Sequence, residues 1–222
     1  MERKIILSCP TLKKELEKAV EETGFAGEIR FIPQSLHSSP KELQKYLQET
    51  IDHMEGMEEI LLCVSGCGGA TACLQAAGAP LIVPKTRDCV DILLSGDSLK
   101  ELKRPKDGFF LSYGWMEYMK NSRLDLNRIL KEKGLEATEE YMRSMFRGFE
   151  NFYIIDTGIY PLKEIENYIQ PLADMIGGKV SKIRGGYGIL KKMAAGKKDG
   201  DFLVVQKGET VREALKREAN IF

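Results

Sequence analysis

Short hydrophobic segments of strand length alternate with segments of helical periodicity along the first half of the chain. The strand-like segments are residues 5–8, 28–32, 59–64 and 81–83. Apolar residues recur every three or four positions after the first of them, as in Leu12, Leu16 and Ala19. This β-α-β-α-β-α-β order is typical of a parallel sheet with helical, right-handed crossovers. The sequence therefore predicts a Rossmann-like α/β fold.

The second half of the chain repeats the alternation. Strands are predicted at residues 108–111, 152–155, 179–183 and 202–205, and helices at residues 124–147, 162–175 and 189–195. We expect two α/β lobes with a cleft between them, the first at residues 1–105 and the second at residues 106–222. A single continuous sheet is the alternative that the pattern leaves open.

Three cysteines and one histidine each come just after a predicted strand. In chain order they are Cys9, His37, Cys67 and Cys89. Because the carboxyl ends of parallel strands share one edge of a sheet, side chains far apart in sequence can meet in a crevice there. Thiolates and imidazole are the ligands that zinc and other thiophilic metals prefer. The sequence therefore predicts a metal site, with zinc as the expected ion.

Cys67 lies in a glycine-rich segment, residues 66–69, which is expected to lead into a helix of small residues ending near Ala79. Glycine allows a sharp turn and close approach to a ligand, and a helix start favours a thiolate. The alternative is a turn whose cysteine only fills space. The segment lacks the Gly-Lys-Ser/Thr of a phosphate loop and the full spacing of a dinucleotide fingerprint, so neither ATP nor NAD is predicted.

The other four cysteines have different predicted surroundings, and these decide how each is interpreted. Cys9 precedes a proline near a helix start, where the partial positive charge lowers a thiol pKa. Cys63 lies inside a predicted strand and Cys73 inside the predicted helix of small residues, so both are interpreted as core residues. Cys89 is either a ligand or the first buried residue of the following helix.

Several further residues are candidates for ligand binding. Asp88 is placed to accept a hydrogen bond from a ligating histidine or to orient Arg87. Tyr113, Trp115 and Asp156 follow strands of the second half, and we expect them to contact a ligand held by the first lobe. An isolated tryptophan is otherwise usually a packing residue.

Charge and terminal sequence exclude some classes of protein. Lys plus Arg and Asp plus Glu both total 33, which gives no electrostatic argument for nucleic acid or an anionic membrane as a partner. The first apolar segment is too short for a secretory signal or a membrane span, so a cytoplasmic location is expected. In a reducing compartment the five cysteines are expected to be free thiols.

Six sequence elements carry a resemblance to a known family. They are Cys9-Pro10-Thr11-Leu12, the Leu36-His37 loop, Ser65-Gly66-Cys67-Gly68, Pro84 to Cys89, Tyr113-Gly114-Trp115-Met116-Glu117 and Asp156-Thr157-Gly158. With these elements in this order the chain resembles the prokaryotic domain of unknown function 1638 family over nearly its whole length. It departs from the family pattern at Ser65, at Gly69 and at Lys85, where an aromatic-glycine start, a preceding Asn and another basic residue are usual.

The resemblance implies a place in metabolism. Members of that family look like companions of corrinoid-dependent methyltransferase systems in anaerobic bacteria and archaea. This implies a role in methyl transfer or in handling its metal cofactor, with a corrinoid protein or a methyltransferase as partner.

Two hypotheses from different classes follow, and whether the protein is an enzyme stays open. The first is a metal-binding protein in which four ligands close a zinc site, or three leave an exchangeable position. An iron–sulfur cluster on the three cysteines is its nearest variant. The second is a non-catalytic, two-lobed binder of a corrinoid, a small metabolite or a partner methyltransferase. Thiol redox chemistry is less favoured because the chain has no Cys-x-x-Cys pair.

Overall fold

Strands and helices alternate through the computed structural model, which describes residues 3–64 and 66–219. The strands are β1 (Lys4–Ser8), β2 (Glu28–Phe31), β3 (Glu59–Cys63), β4 (Leu81–Pro84), β5 (Gly108–Leu111), β6 (Asn151–Asp156), β7 (Lys179–Arg184) and β8 (Phe202–Val205). The helices are α1 (Lys13–Thr23), α2 (Pro40–Asp52), α3 (Cys89–Leu94), α4 (Tyr113–Lys120), α5 (Leu126–Lys133), α6 (Leu135–Met145), α7 (Lys163–Ile176), α8 (Gly188–Ala194) and α9 (Val211–Ala219).

The chain forms two compact units. The first unit contains the residues up to Leu102 together with those from Tyr187 onward, and the second unit is Lys103–Gly186. The first unit has a five-stranded sheet in the order β2-β1-β3-β4-β8, in which β2, β1, β3 and β4 run parallel. Every residue of β3 is buried, as expected for a central strand with both faces covered. The predicted Rossmann-like α/β fold is confirmed.

The C-terminal segment does not belong with the second predicted lobe. Strand β8 pairs antiparallel with β4, Leu81 opposite Val205 and Pro84 opposite Phe202. The expected division into residues 1–105 and 106–222 assigns β8 to the wrong sheet. It assumes one boundary, whereas the structure has two, after Leu102 and after Gly186. The pairing of β8 with β4 has a physical reason: β4 is buried throughout and would otherwise present an apolar, unpaired edge.

The second unit has its own sheet and core. Its three strands lie parallel in the order β5-β6-β7. Phe152, fully buried, lies among aromatic and aliphatic side chains of the surrounding helices. The helix predicted over residues 124–147 is broken at Gly134, whose φ of 77° and ψ of 175° separate α5 from α6. The segment after β5 is helical, and Ser112 caps the start of α4 by accepting a hydrogen bond from the amide of Trp115.

Residues 66–79 do not form the predicted helix. They contain a 3-10 turn at Cys67–Gly69 followed by further turns, and Cys73 is exposed rather than part of the core. Gly68 and Gly69 have positive φ angles, which a right-handed helix does not accommodate. The segment's backbone instead pairs with the C-terminal part of the chain, for example Ala76 N with Glu209 O at 3.0 Å. None of the described helices has the length and apolar character needed to cross a membrane.

Candidate functional site

Cys9 lies at the carboxyl end of β1, where the strand turns into a helix. It precedes the 3-10 turn Pro10–Leu12, which leads directly into α1. Its amide donates a hydrogen bond of 3.3 Å to the carbonyl of Cys63 on the neighbouring strand β3. The side chain is only 1% exposed. The Cys9 sulfur is therefore held inside the carboxyl edge of the sheet, where the sequence predicted a crevice.

Four side chains act on the Cys9 sulfur. Sγ lies 3.0 Å from Thr11 Oγ1 and 4.0 Å from His37 Nδ1. A hydrogen bond from the Cys89 thiol is the main reason that the pKa of Cys9 is lowered, and it outweighs the raising effect of burial. The Thr11 hydroxyl and amide lower this pKa further, and the charge of Cys67 raises it. The surroundings of Cys9 therefore lower the pKa of its thiol.

The pKa of Cys89 is shifted in the opposite direction, upward. Cys89 is the first residue of α3 and is 3% exposed. Its pKa is raised well above the usual range for a thiol, first by the hydrogen bond with Cys9 and then by burial. The hydrogen bond between the two thiols therefore shifts their pKa values in opposite directions, lower for Cys9 and higher for Cys89.

A buried carboxylate that the sequence analysis did not single out fixes the loop before Cys89. Asp91, 1% exposed, accepts hydrogen bonds from Arg87 N, Nε and Nη2 at 3.0, 2.7 and 2.8 Å. Asp88 caps α3 by accepting from the Asp91 amide at 3.1 Å. The i, i+4 spacing of Arg87 and Asp91 was the available signal.

The Cys67 loop is joined by its backbone to the loop before Cys89. The amide of Cys67 donates to the carbonyl of Arg87 at 3.0 Å, and that of Gly66 donates to Thr86 at 3.4 Å. A Cβ at Gly66 would lie 2.8 Å from Arg87 O, so this position requires glycine. Cys67 itself has a φ of 37°, in the left-handed region, and is partly exposed. Ser65, which opens this motif in the sequence, lies outside the described residues.

His37 reaches the same edge from the loop after β2. It lies in the 3-10 turn Gln34–Ser38 and is partly buried. The structure thus brings Cys9, His37 and Cys89 together around the Cys9 sulfur, with Cys67 close enough to act on it electrostatically. Over residues 3–64 and 66–219, no three His, Cys, Asp or Glu side chains are already arranged to hold a metal ion.

The candidates of the second half follow strands of the second unit. Trp115 is partly exposed and makes edge contacts with Phe109 and Tyr118 at ring distances of 6.0 and 5.3 Å. Tyr113 lies 5.4 Å from the ring of Tyr160. The carboxylate of Asp156 accepts a hydrogen bond of 3.0 Å from the amide of Gly158 in the turn after β6. That these residues contact a ligand held by the first unit stays a prediction.

The fold and the site define a Rossmann-like α/β protein with three cysteines and a histidine from four segments that follow strands at one sheet edge. A family model described as "Protein of unknown function (DUF1638)" matches residues 31–194, and the chain belongs to this family. The predicted membership is confirmed. Comparison with curated proteins and with solved structures gives no match.

Proposed function

We propose that this chain is a cytoplasmic metal-binding protein whose Cys9, His37, Cys67 and Cys89 hold a thiophilic ion, with zinc as the expected metal. The observation that supports this most directly is the convergence of His37 and Cys89 on the Cys9 sulfur. The donor set fits the ion, because thiolate and imidazole are the usual zinc ligands. The lowered pKa of Cys9 fits as well, since metal binding requires the deprotonated sulfur.

The distance between Cys9 and His37 is compatible with a shared ion. Zinc bonds of about 2.3 Å to sulfur and about 2.0 Å to nitrogen, at the tetrahedral angle, place the two ligand atoms roughly 3.5 Å apart. Cys9 Sγ and His37 Nδ1 are 4.0 Å apart, so a shift of a few tenths of an ångström brings them to that spacing. Rotation about side-chain bonds is sufficient for such a shift.

Cys67 decides whether the site is closed. With all four ligands the zinc would be fully coordinated, whereas with Cys9, His37 and Cys89 alone one position stays open. The glycines around Cys67 give this loop conformational freedom, and its hydrogen bonds to residues 86 and 87 limit how far it can move.

We also propose that the protein participates in corrinoid-linked methyl transfer or is accessory to it. This part of the proposal rests on the family resemblance. A bound zinc ion deprotonates a thiol that joins it, which supplies the form that accepts a methyl group. In this chain, Cys9, His37 and Cys89 would hold the ion, and the burial of both sulfurs would limit access of water. The partner would be a corrinoid protein or a methyltransferase.

Elemental analysis of protein purified without oxygen tests the metal site. We expect about one zinc ion per chain, and a loss of most of it in Cys9→Ser and Cys67→Ser, because serine is a poor ligand for a soft-site metal. Cys73→Ser is the matched control, since Cys73 is exposed and lies six positions from Cys67 in the same segment.

The absorption spectrum separates the alternatives. A zinc protein is colourless, an iron–sulfur cluster absorbs broadly in the visible region, and a corrinoid has sharper visible bands. Equal zinc content in Cys9→Ser and Cys73→Ser would overturn the proposed site.

A further inference from the structure

We propose that a basic cavity in the second unit binds the phosphate group of a small organic molecule. The cavity has a volume of about 390 Å³, which lies in the range of small-molecule pockets. It lies beside helices α5 and α6, both of which belong to the unit Lys103–Gly186. Its described lining residues are Arg123, Arg128, Ile129, Glu132, Lys133 and Tyr141. None of them belongs to the proposed metal site.

Positive charge dominates this cavity. Arg123, Arg128 and Lys133 are cationic, and Glu132 is the single anion among the described lining residues, so the lining carries a net charge of +2. The whole chain has a net charge of zero, so this excess is local. A phosphate monoester carries about −1.5 to −2 charges at pH 7 and matches the lining, whereas a monocarboxylate supplies only one negative charge.

Two arginines meet at the turn that precedes α5. Arg128 Nη2 donates a hydrogen bond to the carbonyl of Ser122, so its guanidinium lies beside the residue that precedes Arg123. The Asp125 carboxylate caps α5 by accepting from the Arg128 amide at 2.8 Å and is not among the lining residues. The exposed guanidinium of Arg123 has no hydrogen bond or ion pair with another described residue. It is therefore available to a phosphate oxygen.

The break at Gly134 builds the other side of the cavity, because it lets α6 pack against α5. Lys133, the last residue of α5, thereby has its Nζ 5.9 Å from the centre of the Tyr141 ring. This cation–π contact holds the ammonium group at the cavity. Ile129, which is 3% exposed, and the half-buried Tyr141 supply apolar surface. A phosphate that carries an apolar or ring group therefore fits the cavity better than free phosphate does.

The position of Lys133 has a second possible explanation that a control can separate. A cation in the last turn of a helix interacts favourably with the helix dipole. Lys131 lies in the same last turn of α5 and outside the cavity lining. A comparison of the two lysines therefore distinguishes a ligand contact from a general effect of charge at this helix end.

Isothermal titration calorimetry of the full chain, with phenyl phosphate as the probe, tests the cavity. We expect binding at a single site. Benzoate has the same ring and one negative charge, so it should bind about tenfold more weakly. Inorganic phosphate should also bind more weakly than phenyl phosphate, because it has no apolar part to cover Ile129 and Tyr141.

Substitutions of the lining charges should act in opposite directions. Arg123→Gln and Lys133→Gln should each weaken the binding of phenyl phosphate about tenfold, because each removes a charged donor. Glu132→Gln should strengthen binding about threefold, since it removes a repulsive charge. Lys131→Gln removes the same charge as Lys133→Gln from the same helix, and it should change the affinity by less than about twofold. All four side chains are exposed, so the fold should tolerate each change.

Three results would overturn the proposal. No binding of phenyl phosphate, or equal weakening by Lys131→Gln and Lys133→Gln, would show that the cavity is not a phosphate site. Equal affinity for inorganic phosphate and phenyl phosphate would assign free phosphate as the ligand in place of an organic one. Cys67→Ser makes the test independent of the proposed metal site. It should leave the affinity for phenyl phosphate unchanged, whereas a loss would place the phosphate on the bound ion instead of in the cavity.

Discussion

At the scale of single residues, the environment of each cysteine decides what its thiol can do. Cys9, Cys63 and Cys89 are all buried. Hydrogen bonds from Cys89 and Thr11 lower the pKa of Cys9, whereas burial alone acts on Cys63 and raises its pKa to about 12. Burial by itself therefore makes a thiol inert, and polar neighbours make it a ligand or a nucleophile.

The raised pKa of Cys63 predicts a loss of stability at alkaline pH. In the folded chain this thiol keeps its proton up to a pH of about 12, whereas in the unfolded chain it loses it near the usual value of 9.0. The contribution is therefore fully present below pH 9 and is lost as the pH rises toward 12. The stability advantage of the natural chain over Cys63→Ala should shrink by about 1 kcal/mol between pH 9 and pH 10.

Urea unfolding of both proteins at the two pH values measures the change. A gap that stays constant would show that the Cys63 thiol is not held protonated by the fold.

At the scale of elements, short polar caps position the site more than the regular helices do. Helix α3 has only six residues, yet it presents Cys89 at its first position because Asp88 caps it and Asp91 holds Arg87. The carbonyl of Arg87 in turn receives the amide of Cys67. One buried carboxylate thus fixes two of the loops that carry candidate ligands.

Asp91→Asn tests this coupling. The amide side chain loses the charge and one acceptor, so the Arg87 hydrogen bonds weaken and we expect a loss of about 2 kcal/mol of stability. Because the loops carrying Cys67 and Cys89 lose their anchor, we also expect a lower zinc affinity, measured by competition with a chelator.

Glu59→Gln is the matched control. Glu59 is a buried carboxylate paired with Lys4 and Lys198 at the amino end of β3, the opposite end from the site. The Glu59→Gln substitution should lower the stability of the protein and leave its zinc affinity unchanged. If both variants lose affinity in proportion to stability, Asp91 has no specific part in the site.

At the scale of the whole molecule, the chain builds one unit, inserts a second and then returns to the first. The second unit has a closed core of its own around Phe152, whereas the first unit is completed by α8, β8 and α9 from the end of the chain. One continuous stretch of sequence therefore forms the second unit, whereas the first unit needs two separate stretches.

Fragment expression tests this division. Residues 103–186 expressed alone should fold, with helix and strand signals in circular dichroism and a cooperative thermal transition. Residues 1–102 alone should not, because they lack the strand that covers the edge of β4. A cooperative transition for residues 1–102, or its absence for residues 103–186, would contradict the division.

The sequence by itself determined the local elements and the edge at which the candidate site lies. Alternating apolar segments predicted the parallel strands β1 to β7, and the position of Cys9, His37, Cys67 and Cys89 after four strands predicted their shared edge, because strand direction follows from the connections. The tertiary structure alone decided that residues 66–79 are not helical, that the helix predicted over residues 124–147 is interrupted at Gly134, and that β8 pairs with β4. It also decided that Cys89, rather than a nearer cysteine, contacts Cys9. These features depend on pairing between residues far apart in sequence, which local periodicity does not encode.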